Sequence, residues 1–167
     1  MRGAIMNYCF SQIEEDVKSI YKKLGFKDPA DIDMMEVARY FDVWIHLWPG
    51  ESKNSNILGF KSIYINQDLN YRQMWTTFAH ELRHALVHTG NQNKMHYLFR
   101  EYQELDANRF MYHFCMPTFM LLQIDPLPTF KETVFYLANL FKVDYRFAEK
   151  RYIDFLNKKR AQLFAYC

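Results

Sequence analysis

The chain has 167 residues, half of them hydrophobic, with 15 Phe, 12 Tyr and a formal net charge of +2. That length and apolar content suit one domain spanning 1–167 with a real core, and so small a charge argues against direct nucleic-acid binding. Cys9, Cys115 and Cys167 are scattered and lack metal-ligand spacing, the opening residues do not read as a signal peptide, and no apolar run reaches membrane-spanning length, so a cytoplasmic protein without a membrane segment is expected.

In chain order, Ile13, Val17, Ile20, Tyr21 and Leu24 recur at helical spacing, and Gly25 stops that helix. Asp28-Pro29 is a turn, and Asp33-x-x-Glu36 is a capping box opening a second helix through Phe41. Val43 to Trp48 alternates and is rich in β-branched and aromatic residues, which predicts a strand with His46 half buried on it. Glu51 to Asn56 is polar and predicts a loop. Ile57 to Asn66 predicts a second strand with Gly59 as a bulge.

After a turn at Asn66 to Asn70, a helix is expected to run to about Thr89, with Gly90 as its C-cap. It carries His80-Glu81-x-x-His84. An α-helix turns about 100° per residue, so His80 and His84 leave one face a turn apart and can reach one metal ion. Glu81 is set round from them, where it reaches a water rather than the metal, as a general base must. His88 lies about 12 Å along the axis from His80 and cannot join it on the same ion; a structural or supporting role is expected. His96 falls in a polar loop, where it is expected to be solvated.

The next helix, Tyr97 to Met116, is apolar on most sides and should be buried, yet it carries Glu101, Glu104, Asp106 and Asn108. Buried carboxylates need a partner. Two His leave a tetrahedral metal short of one protein ligand, and Glu104 is the choice to supply it, with Asp106 and Glu101 in reserve. Asn108, four residues on, would hydrogen-bond a ligand from behind. Phe119 to Ile124 is a short apolar piece. Thr129-x-x-Glu132 opens a further helix, and a last one starts near Tyr145, giving a C-terminal helical pair over 129–160. A DNA-binding helix-turn-helix would look similar in outline, but the Phe and Tyr content of this pair favours packing.

Thr77-x-x-His80-Glu81-Leu82-x-His84-x-x-x-His88, followed by Glu104-x-Asp106-Ala107-Asn108-x-Phe110 and Met116-Pro117, resembles the two motifs of the ImmA/IrrE metallopeptidases. The likeness extends from about residue 30 to 155. It implies an α+β, mostly helical zincin-like metalloprotease domain, with a small antiparallel or mixed sheet next to the His-Glu-x-x-His helix. It also implies one zinc ion per chain, a stand-alone catalytic form, and a protein substrate that is a DNA-binding transcriptional repressor of a prophage, mobile element or stress regulon. The chain departs from the family pattern at Arg83, where a small residue is usual, at Asp106, where Glu is usual, and at Met111, where Ala is usual. Arg83 either points to solvent or stands at the cleft against the substrate.

The mechanism expected from these residues is zinc held by His80, His84 and Glu104, with Glu81 moving the proton. Tyr97, Tyr64 and His88 are the candidates to stabilise the oxyanion. The alternative is a non-catalytic binding protein that sequesters a repressor. Glu81, which only catalysis requires, argues against it.

Overall fold

The structure is a computed structural model that describes residues 8–87 and 96–165. Helix α1 (Gln12–Leu24) buries Val17 and Tyr21, and Gly25 ends it at φ 78°, a conformation glycine takes without strain. A single 3-10 turn at Pro29–Asp31 leads to α2 (Met34–Tyr40), where Asp33 accepts from the Met35 and Glu36 amides. Three strands follow: β1 (Val43–Trp48), β2 (Lys53–Ile57) and β3 (Phe60–Asn66). The remaining helices are α3 (Tyr71–Val87), α4 (Tyr97–Cys115), the short α5 (Thr118–Leu121), α6 (Phe130–Leu140) and α7 (Tyr145–Ala165). Among the described residues no helix is long and apolar enough to cross a membrane.

The sheet is mixed, in the order β1-β3-β2, with β1 parallel and β2 antiparallel to β3. It corrects two expectations. The polar run Glu51 to Asn56 is not all loop, because Lys53–Ile57 pairs with β3 at the sheet edge, where a strand can stay polar on its exposed positions. Gly59 is not a bulge: Ile57 sits opposite Phe60, so Leu58 and Gly59 form a two-residue hairpin turn with φ of 52° and 88°, the signature of a type I′ turn.

Alternation along β3 sets what faces the site. Ile63 and Ile65 are fully buried on the side that packs on α3, which turns Tyr64 to the other face. There it stacks on His46, ring centroids 5.0 Å apart. His46 itself is exposed rather than half buried, because β1 is also a sheet edge.

The motif helix α3 buries Trp75, Phe78, Ala79, Leu82 and Ala85, a stripe at the helical period. Full burial of Trp75, Phe78 and Leu82 contributes about 2–3 kcal/mol each. Facing it, α4 buries Gln103, Ala107, Phe110, Phe114 and Cys115. Helix α4 is therefore only half buried: Leu98, Phe99 and Leu105 are exposed, against expectation, since packing on α3 begins at Gln103. His96 is exposed, as a loop residue should be, and its ring nitrogen caps α4 at the Leu98 amide.

The C-terminal helices are tied to the rest by polar bonds as well as by apolar packing. The Arg72 guanidinium donates to the Ala138 and Val143 carbonyls and to Asn139 Oδ1, pinning the start of α3 to the α6–α7 turn. Glu14 of α1 is buried and accepts from Tyr8, Ser11, Thr118 and Lys158. Arg151 of α7 donates to Thr118 Oγ1 at 2.7 Å and to the Met116 carbonyl at 3.1 Å. One polar cluster thus joins α1, α5 and α7. Burial pushes the Glu14 carboxyl up, but the bonds from Lys158, Ser11 and Thr118 outweigh it and hold its pKa at about 2.

Candidate metal centre

His80 and His84 occupy one face of α3, and their Nε2 atoms lie 3.1 Å apart. The carboxylate of Glu104 straddles them, with Oε2 3.3 Å from His80 Nε2 and Oε1 3.3 Å from His84 Nε2. Zinc bonds of about 2.0 Å at tetrahedral angles place ligand atoms about 3.3 Å apart. The two 3.3 Å distances run to different Glu104 oxygens, and one ligand atom from each side chain lies within 4.8 Å of the others, a triangle that can close on one such ion; among the described residues the three form a group able to hold a metal. His84 is nearly fully buried and His80 half buried, while Glu104 keeps an open side toward solvent. That openness suits a site that must admit water and substrate.

Glu81 follows His80 and accepts a hydrogen bond from Asn54 Nδ2 at 2.9 Å. Asn54 lies opposite Ile63 in the sheet and so shares the face that packs on α3. Burial pushes the Glu81 carboxyl up, the Asn54 bond and the charge of His80 pull it down, and Glu104 pushes it up; the net direction is upward from the usual carboxylate range. A carboxylate so placed accepts a proton more readily than one in water.

The other expected site residues are dispersed. Asp106 is not near the His pair but on Arg83, with Oδ2 2.6 Å from Nε and Oδ1 3.2 Å from Nη2. Arg83 is accordingly withdrawn from solvent, its guanidinium 5.2 Å from the Phe110 ring centroid. Glu101 is exposed one turn before Glu104. Asn108 is exposed as well, and among the described residues no hydrogen bond joins it to His80 or His84, because α4 turns residue 107 rather than 108 inward. Tyr64 points from the far face of the sheet and is removed as an oxyanion donor. Tyr97 is exposed at the start of α4 on the same face as Glu104, about 10 Å ahead along the axis. His88, like Thr89 and Gly90, lies outside the described residues.

Sequence reasoning missed Asn54. It sits in a run read as loop, and nothing in Lys53-Asn54-Ser55-Asn56 marks one Asn above the other; recognising Leu58-Gly59 as a hairpin turn would have put Asn54 on the inner face.

Residues 38–152 match peptidase family M78, described as the IrrE N-terminal-like domain. The chain is 43% identical over 152 residues to the phage-like element PBSX protein XkdA of Bacillus subtilis (strain 168), covering 90% of this chain and 76% of that protein. It is 30% identical over 160 residues to the uncharacterized protein YqaB of the same organism, covering 96% of this chain and 93% of that one. With its motif helix, its mixed sheet and the match across most of its length, the chain belongs to peptidase family M78, the IrrE N-terminal-like group.

Proposed function

We propose that this protein is a zinc-dependent endopeptidase that cleaves a DNA-binding transcriptional repressor of a prophage or mobile element. The observation that carries the reading is the convergence of His80, His84 and Glu104 on a point able to hold one metal ion, with the half-buried Glu81 beside it. When bound, the ion supplies Lewis-acid activation of a water and of the scissile carbonyl. Glu81 takes the proton of the attacking water and returns it to the leaving amine. Asn54 fixes one Glu81 oxygen and leaves the other to carry that proton. The outer edge of β2 has no partner among the described residues and runs past Glu81, so an extended substrate segment has backbone groups to pair with.

The setting rests on the relative from a phage-like element; the repressor as substrate rests on the resemblance to ImmA/IrrE proteins. The test is to purify the protein without added metal, measure its zinc, and incubate it with the repressor encoded in the same element. About one zinc per chain, lost in His80→Ala, and repressor cleavage abolished in Glu81→Gln are expected. Relief of repression that persists in Glu81→Gln would replace cleavage with sequestration.

A further inference from the structure

The ligand triangle takes one corner from α4, and ahead of that corner α4 is poorly anchored. Tyr97, Leu98, Phe99 and Tyr102 are exposed, and the buried ridge runs only from Gln103 through Ala107 to Phe110 and Phe114. Glu104 and Asp106 leave the helix on opposite flanks of that ridge: one residue beyond Gln103 and one residue short of Ala107, at about 100° per residue. Glu104 meets His80 and His84 on one flank. Asp106 meets Arg83 on the other, through two bonds of 2.6 and 3.2 Å. Helix α3 therefore grips α4 from both sides of the ridge.

That grip controls rotation. Turning α4 by about 15° swings a carboxylate about 5.5 Å from the axis through about 1.4 Å, whereas metal–ligand distances tolerate only about 0.2 Å. Rotation that carried Glu104 off the His pair would have to break the two-bonded contact on the opposite flank, whose guanidinium is also seated by the Phe110 ring. Parallel, two-point Arg–carboxylate bonding has the geometric stiffness this requires.

We propose that Arg83 and Asp106 are a positioning pair for the metal centre: they lock the rotation of α4 on α3 and so hold Glu104 at bonding distance from an ion shared with His80 and His84. The inference rests on the metal-centre reading of those three residues.

The test measures zinc affinity of the full chain by competition with a chromogenic chelator. It compares wild type, Arg83→Ala, Asp106→Ala, the double variant, Asp106→Glu and His80→Ala, alongside the melting temperature of each metal-stripped chain. Each single alanine change is expected to weaken zinc binding about 10- to 100-fold. The double variant should lose no more than the worse single, Asp106→Glu should recover part of the loss, and the stripped chains should melt within about 4 °C of wild type. Should an alanine variant fail to fold, Asp106→Asn keeps the shape, removes the charge and carries the same expectation. Unchanged affinity in the single variants, losses that add in the double, or a loss that only follows a larger fall in melting temperature would overturn the pairing role. A wild type that binds zinc no better than His80→Ala would overturn the metal centre itself, and the pair's role with it.

Discussion

Replacing Glu14 by Gln removes the one negative charge at the centre of the cluster that joins α1, α5 and α7. The structure sets the size of the effect. A carboxyl drawn from its ordinary 4.5 to about 2 gains about 3 kcal/mol from ionising in the folded state, at 1.36 kcal/mol per pH unit. The side chain is 1% exposed, so solvent does little to screen the loss. Because the folded pKa lies below the unfolded one, this stability is fully present above about pH 4.5 and is lost as the pH falls through about 2. Glu14→Gln should therefore cost about 3 kcal/mol at pH 7 and only about 1.5 kcal/mol at pH 3. Urea unfolding of wild type and variant at pH 7, 5 and 3 reads both values. A loss below about 1 kcal/mol at pH 7, or one that does not shrink on acidification, would refute the argument that the ionised carboxylate organises this cluster.

His113, next to that cluster, is held neutral: burial and then the charge of Arg151 lower its pKa from 6.5 to about 4. The unfolded chain takes up that proton first, so stability should fall by up to about 3 kcal/mol between pH 6.5 and 4, a slope that His113→Gln removes. Leu58 is 93% exposed at φ 52°, so Leu58→Asn should raise stability by about 1 kcal/mol in thermal melts, with no change in zinc content. Asn54→Ala should lower kcat for repressor cleavage about 10- to 100-fold while zinc affinity stays at the wild-type value; a zinc loss instead would make Asn54 part of the metal centre's scaffold.

Much of this architecture is legible in the sequence, and the illegible parts share a cause. Helices α1, α3 and α6 announce themselves by period and by Gly25 or Thr129 at their ends, and β1 by its alternation. The spacing of His80 and His84 places them on one face without reference to any neighbour. What is missed depends on tertiary context. Strand β2 is defined by pairing with β3, not by its own polar residues, so Asn54 goes unnoticed. The burial of α4 depends on which of its faces meets α3, and its composition, apolar on most sides, cannot say. Arg83 and Asp106 stand out singly as departures from a family pattern, but their bond spans two helices and becomes visible only once both are placed.

The cluster around Glu14 also ties folding to the order of synthesis. Its carboxylate emerges from the ribosome in the first helix, while Arg151 and Lys158, which face it, emerge in the last. Until those cations arrive, closing α1 onto the core would bury the carboxylate with only the neutral donors Tyr8, Ser11 and Thr118 and no opposite charge. The nascent chain can form its sheet and the α3–α4 pair early, yet the seating of α1 must wait for the far end of the chain. A ribosome-stalled fragment ending before residue 151 should accordingly leave α1 open to protease, with the His-bearing helix already protected.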